Sequence, residues 1–348
     1  MAVTQAVLGS HYEAHHKPTV LWADTVDSHH TAYIISRLEE AIAKKQNLVL
    51  NIISKSGTTT ETVALATILI ETLKQLPNWR DLVVVTTDKG SKLWALAEQE
   101  GFHLLEIPKN VGGRYSVLSP AGIFPLAMLD IDVMEMFKGA IAARGDCLQH
   151  TPKNPALHRA VTLWHQQKKG RRIHNLFLFS HQLEELGKWY RQLLAESLGK
   201  EKSKTGRVIH AGITPIVSVG SVDLHSMAQL YLGGPDDKMT TFVSLGRHEE
   251  IQIPVNKSMA TLVSNLQGKG INQVMQAILG GVQAAYKNAR RPFMTITMDA
   301  PDEKSIGYFL QQQMIEVMLL GELLNVNAFD QPAVEKYKEE TRKLLAGR

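Results

Sequence analysis

The chain has 348 residues, 44% of them apolar, and a formal net charge of +4. That length predicts two domains with a sizeable core, and so small a charge on dispersed Lys and Arg argues against a nucleic-acid partner. Cys147 stands alone, no apolar run reaches the roughly 20 residues of a membrane helix, and the first ten residues lack a signal-peptide pattern, so a soluble cytoplasmic protein without disulfides is expected.

In chain order, residues 2–12 have a short helical pattern and residues 19–22, Thr-Val-Leu-Trp, read as a strand. Residues 28–45 predict a helix with Ile34, Ile35, Leu38, Ala41 and Ile42 on one face. A strand at 48–53, a helix at 61–75, a strand at 82–86, a helix at 92–100 and a strand at 103–107 follow. A second alternating series has helices at 134–143 and 155–168, a strand at 175–179 and a helix at 181–198. Then come a strand at 214–219, a helix at 226–232, a strand at 240–245, a helix at 271–288, a strand at 293–298 and a helix at 303–324. Such alternation predicts doubly wound parallel sheets flanked by helices. The predicted domains are 1–135 and 136–325, with a charged C-terminal helix within 326–348.

The stretch Asn51-Ile52-Ile53-Ser54-Lys55-Ser56-Gly57-Thr58-Thr59-Thr60-Glu61-Thr62 joins the 48–53 strand to its helix. The first N–H groups of a helix have no intrahelical acceptor, and its dipole favours an anion there. One Ser or Thr suffices as an N-cap, whereas this turn carries six hydroxyls in nine residues. The excess points to a phosphate site, with Lys55 adding positive charge.

Four further stretches carry candidate chemistry. Val111-Gly112-Gly113-Arg114-Tyr115-Ser116-Val117-Leu118-Ser119-Pro120 sets a flexible diglycine beside a guanidinium, although loop glycines with a surface Arg are common. In Gln192-Leu193-Leu194-Ala195-Glu196-Ser197-Leu198-Gly199-Lys200, Gln192 and Glu196 share a helix face, and Glu196 sits against the dipole near the helix end. Gly220-Ser221-Val222-Asp223-Leu224-His225-Ser226 places a histidine, suited to proton transfer near neutral pH, just after a strand. Asn327-Ala328-Phe329-Asp330-Gln331-Pro332-Ala333-Val334-Glu335-Lys336-Tyr337-Lys338 is a turn feeding the last helix. By itself each has an ordinary surface explanation. The pairs His15-His16 and His29-His30 lack the spacing of a zinc helix and read as surface residues.

Together and in this order, the five stretches resemble the glucose-6-phosphate isomerase family in its shorter bacterial form. The likeness rests on Ser-Lys-Ser-Gly-Thr-Thr-x-Glu-Thr, Gly-Gly-Arg-Tyr-Ser-Val-x-Ser, Glu-Ser-x-Gly-Lys, Asp-Leu-His-Ser and Phe-Asp-Gln-Pro-x-Val-Glu, from about residue 19 to the end. It implies two sugar-isomerase (SIS) domains, each a parallel sheet of five strands between helices. It also implies interconversion of glucose 6-phosphate and fructose 6-phosphate through a cis-enediol, with no metal and no redox cofactor. Ser54, Ser56, Thr59 and Thr62 would hold the sugar phosphate, with Lys55 in the same turn. Glu196 would be the base, and Arg114 would stabilise the enediolate beside the Gly113 backbone. His225 and Lys338 would open the sugar ring, and Gln192 and Gln331 would hydrogen-bond substrate. His225 would come from the other subunit of a homodimer.

The sequence departs from the family pattern in two places. Ala333 stands where the family usually has Gly. The chain also starts later than family members, without the usual first strand and its Gly-Gly-Ser-x-Leu-Gly loop. It therefore reads as a fragment whose first sheet lacks its first strand. The alternatives are a dual glucose/mannose phosphate isomerase and a phosphosugar-binding fragment without turnover.

Overall fold

The computed structural model describes residues 1–9, 11–12, 18–247 and 249–347. His15 and His16 lie outside the described residues. One unit is built on Tyr12–Val133, the other on Ala2–His11 with Met134–Arg348.

The first unit contains helix α2 (Ser28–Ala43), whereas α1 (Ala2–Leu8) belongs to the other unit. Asp27 caps α2 by accepting the His30 N–H at 2.7 Å. Strand β1 (Leu50–Ser54), helix α3 (Thr60–Leu73), strand β2 (Val83–Thr87), helix α4 (Lys92–Glu100) and strand β3 (His103–Glu106) follow. The strands form a parallel sheet in the order β1-β2-β3, with Leu50 beside Val83 and Val84 beside His103. β2 is buried along its whole length, as a central parallel strand covered on both faces must be. Ile52, Leu73, Val83, Val85, Leu93, Ala97 and Phe102 form the core, closed by Trp79 edge-on to Phe102 at 5.7 Å. Helix α5 (Pro120–Ala127) ends the unit.

Residues 19–22, expected as a strand, pair with no strand among the described residues. A strand needs a ladder partner for its backbone groups. Here the Trp22 carbonyl meets the His30 ring Nε2 at 2.8 Å instead, and the Trp22 indole donates to the Tyr12 hydroxyl at 2.8 Å. His30 is accordingly half-buried, while its neighbour His29 is exposed.

The second unit contains α6 (Val133–Cys147), α7 (Pro155–Lys168), β4 (Ile173–Leu178), α8 (Glu184–Leu198), and the antiparallel pair β5 (Lys200–Lys202) and β6 (Val208–Ala211). β7 (Thr214–Val219), the short α9 (Val222–Ser226) and α10 (Ala228–Gly233), and β8 (Lys238–Leu245) come next. α11 (Ile271–Asn288), β9 (Phe293–Met298), α12 (Glu303–Leu323) and α13 (Pro332–Leu345) complete it. Its sheet is parallel in the order β7-β4-β8-β9. Four strands pair here, not five, and none adds to the outer edge of β7 or β9 among the described residues. Phe177, Phe179, Phe242, Tyr231 and Tyr286 fill one face with tilted and edge-on ring contacts. Helix α1, placed by the sequence reading in the first domain, packs in this unit against α8 and α12. Val3, Thr4 and Ala6 are buried there, and Gln182 Nε2 donates to the Ala6 carbonyl at 2.7 Å.

The other face of the β4–β8 pair holds a buried polar chain. Arg159 of α7 pairs with the fully buried Glu316 of α12. Tyr190 of α8 donates to Glu316 Oε1 at 2.9 Å and lies 3.2 Å from His174 Nδ1, and His174 Nε2 lies 2.8 Å from Thr241 Oγ1. A neutral imidazole with its proton on Nδ1 satisfies both neighbours. Such a buried pair is costly to break from one side, because the remaining charge has no counterpart.

Burial, with the Arg159 charge adding to it, lowers the His174 pKa from 6.5 to about 3. Below pH 6.5 the unfolded chain takes up this proton and the folded chain does not. Stability from His174 is therefore complete above that pH and is lost toward pH 3, at up to about 1.4 kcal/mol per pH unit. Urea unfolding of the wild type and His174→Gln at about pH 7 and about pH 4.5 checks this. The variant is expected to lose less stability on acidification, and an equal loss would refute the linkage.

Candidate active site

In the first unit β1 ends at Ser54 and α3 begins at Thr60, so residues 55–59 make the turn. Gly57 turns the chain with φ of +67°, and its N–H donates to the Ser54 carbonyl at 3.2 Å. Thr59 is the N-cap residue of α3 but makes no capping hydrogen bond; its hydroxyl pairs with Ser54 Oγ at 2.8 Å. The N–H groups of Thr60, Glu61 and Thr62 reach no acceptor among the described residues. Ser56 Oγ accepts from the Thr58 N–H and hydroxyl, each at 3.3 Å. Thr87 Oγ1 donates to the Ser54 carbonyl at 2.6 Å and fixes the end of β1 against the end of β2. Ser54, Ser56, Thr59 and Thr62 thus gather at the carboxyl end of β1 and the positive end of α3, an arrangement suited to an oxyanion.

Lys55 sits in this turn, but its ammonium donates to the carbonyls of Lys109 at 2.9 Å and Val111 at 2.7 Å. It ties the turn to the loop that leads into Gly113 and Arg114. Gly113–Leu118 form a short 3-10 segment, and Gly112 before it is extended. Neither glycine has a positive φ, so the expected flexible diglycine is instead a regular helical start. Nothing lies within 4 Å of where a Gly113 Cβ would stand, which leaves its backbone open to close approach. Arg114 is 2% exposed, with its guanidinium carbon 5.4 Å from the Tyr115 ring centre.

In the second unit Gln192 Nε2 donates to Glu196 Oε1 at 2.9 Å, one turn apart on α8. Gln331 is the residue before α13, and Lys338 of that helix donates to Glu335 Oε1 at 2.8 Å. The hydrogen bond and charge of Lys338 hold the Glu335 carboxyl below its usual range. His225 lies on α9, exposed, and its ring has no hydrogen-bond partner among the described residues. Asp223 fixes its turn by accepting the Val219 N–H and the Ser226 hydroxyl, both at 2.7 Å.

The topology separates two of these residues. α8 leaves the carboxyl end of β4 and runs back along β7, so its last residues, with Glu196 in the final turn, end where Leu198 and Gly199 meet Gly212, just before β7 starts. His225 follows the far end of β7. Six residues of extended strand, about 20 Å, lie between them, and one second unit does not bring Glu196 and His225 together.

Two residues here were not assigned roles from the sequence, Thr87 and Lys200. Each has a local signal: Thr87 is a buried hydroxyl at the end of a valine-rich strand, and Lys200 follows the glycine that ends α8. The sequence pattern of the phosphoglucose isomerase family matches residues 3–346. The chain is 31% identical to the probable glucose-6-phosphate isomerase of Methanococcus maripaludis, over 99% of this chain and 75% of that one. It is 36% identical to a glucose-6-phosphate isomerase of Thermus thermophilus, over 90% of this chain and 75% of the relative. A crystal structure of a hypothetical protein from Thermus thermophilus superposes with a TM-score of 0.88 at 32% identity, covering 99% of this chain and 80% of that one. The glucose-6-phosphate isomerase of Chlamydia trachomatis shares the fold, with a TM-score of 0.82 at 20% identity over 99% of this chain and 66% of that one.

A side chain at position 57 tests how tightly the turn is built. A Cβ there would stand 2.8 Å from Leu93 Cβ and 2.9 Å from Leu93 N. Gly57→Ala combines this overlap with a left-handed backbone and is expected to cost roughly 2–5 kcal/mol. A thermal melt within a degree of the wild type would contradict the turn geometry.

Proposed function

The chain belongs to the phosphoglucose isomerase family, and we propose that it interconverts glucose 6-phosphate and fructose 6-phosphate by moving a proton between C1 and C2. The observation that carries this reading is the uncapped start of α3, ringed by hydroxyls at the end of β1. A dianionic phosphate accepts from the free N–H groups there and from Ser54, Ser56, Thr59 and Thr62. Glu196 removes the C2 proton of the open-chain aldose, an enediolate forms, the hydroxyl proton on O2 passes to O1, and the same carboxyl delivers its proton to C1, which leaves the ketone at C2. Arg114 stabilises the oxyanion with its fixed positive charge, beside the accessible backbone of Gly113. His225 and Lys338 exchange protons with the ring oxygen and the anomeric hydroxyl to open the ring. Gln192 holds Glu196 by its hydrogen bond and, with Gln331, contacts substrate hydroxyls.

The separation of Glu196 and His225 along β7 supports a homodimer in which each active site takes His225 from the partner subunit. A cytoplasmic setting goes with charged sugar phosphates as substrates.

A coupled assay from fructose 6-phosphate tests the chemistry. The chain is expected to turn over, and Glu196→Gln is expected to lose about 10³-fold or more in kcat with KM little changed. Binding of substrate without turnover by the wild-type chain, or near-normal turnover by the variant, would overturn the reading. Mixing Glu196→Gln with His225→Ala tests the dimer. Shared sites predict that the inactive variants regain activity once subunits exchange, while a mixture as inactive as its components would exclude sharing.

A further inference from the structure

Lys200 is 7% exposed, although its side chain ends in a charge. A buried ammonium persists only where carbonyls or carboxylates replace its water. Lys200 Nζ donates to the Glu196 carbonyl at 2.6 Å and the Asp330 carbonyl at 2.8 Å, and lies 3.5 Å from Asp330 Oδ1. The first partner follows from helix geometry. The Gly199 N–H closes α8 on the Ala195 carbonyl, while the Glu196 carbonyl faces outward among the last carbonyls of the helix, at the negative end of its dipole. The second partner belongs to the turn before α13, where Asn327 Nδ2 donates to Asp330 Oδ2 at 2.9 Å. One ammonium therefore joins the backbone of Glu196 to the residue that precedes Gln331. Beside it, Lys200, Ser203, Asn327, Asp330 and Pro332 border an open cleft of about 520 Å³.

We propose that Lys200 is a positioning residue, whose ammonium fastens the end of the Glu196 helix to the turn that presents Gln331 and Lys338. The inference rests on the isomerase reading for its catalytic consequence, though not for the clamp itself. The clamp sets the carboxylate and the two α13-side residues in one register. Its loss lets the two segments move independently while leaving the phosphate grip of the first unit intact. The signature is a fall in kcat with little change in KM, because transition-state alignment depends on displacements of about an ångström.

The experiment compares wild type, Lys200→Met, Lys200→Arg and the surface control Lys204→Met. Lys200→Met keeps the apolar stem and removes the donors. Amide hydrogen exchange over residues 327–338 and steady-state kinetics with fructose 6-phosphate are measured on each. Lys200→Met is expected to exchange faster in that segment and to lose about 10–100-fold in kcat, with KM changed less than about 3-fold. Lys200→Arg is expected to recover part of both, and Lys204→Met to match the wild type. Unchanged exchange in Lys200→Met overturns the proposal, as does a loss of protection spread evenly over the whole second unit. Should Lys200→Met not fold, Lys200→Gln, which keeps one donor group, carries the comparison. A wild-type chain that does not turn over sinks the isomerase reading, and the exchange data still decide whether Lys200 holds the turn.

Discussion

Thr59 directs its hydroxyl to Ser54 and not to its own helix, so the first N–H groups of α3 meet no acceptor among the described residues. An N-terminus left in that condition is a positive site waiting for an anion. The rest of the first unit holds this end in place. The buried β2 provides a rigid floor, Thr87 fixes the Ser54 carbonyl, and Gly57 lets the backbone pass Leu93 at a distance no side chain could share. Lys55 extends the same arrangement to the loop before Arg114. The hydroxyl-rich turn and the loop that leads into Arg114 are thus joined by hydrogen bonds.

The second unit solves a different problem. On the isomerase reading a base must be held still, and Glu196 lies in the last turn of its helix, where backbone carbonyls have no intrahelical partner. Two features oppose fraying. Tyr190 anchors the middle of α8 to the buried Glu316, and Lys200 satisfies the Glu196 carbonyl at the end. The direction of α8 carries Glu196 away from His225, which lies beyond the opposite end of β7. Strand and helix direction are the physical ground of the proposed dimer, in which a second copy of the chain would supply one of the two residues.

Much of this was legible in the sequence because regular elements leave periodic signals. Lys92–Glu100, Pro155–Lys168, Thr214–Val219, Ile271–Asn288 and Phe293–Met298 lie where the pattern places them to the residue. The hydroxyl-rich turn announced itself by holding more Ser and Thr than a cap requires. What stayed hidden depends on partners distant in sequence. Residues 19–22 look like a strand, but no neighbouring strand among the described residues completes their ladder. The β5–β6 strands are only three and four residues long, and the first is Lys-Glu-Lys, so the pair has no apolar alternation to read. α5 carries Pro125 in its interior, which hides the helix from a propensity argument. Lys55 illustrates the limit at a single residue. Its place in the turn suggested a phosphate ligand, and only the fold shows its charge directed to carbonyls 54 and 56 residues away.

The most direct test of the central claim is a crystal structure of the chain with bound fructose 6-phosphate. The phosphate is expected at the start of α3, within hydrogen-bond distance of the Ser54 and Thr59 hydroxyls and the N–H groups of the first turn. The Glu196 carboxylate is expected against C1 and C2 of the same sugar. A phosphate bound elsewhere, or a sugar whose reacting carbons lie away from Glu196, would contradict it.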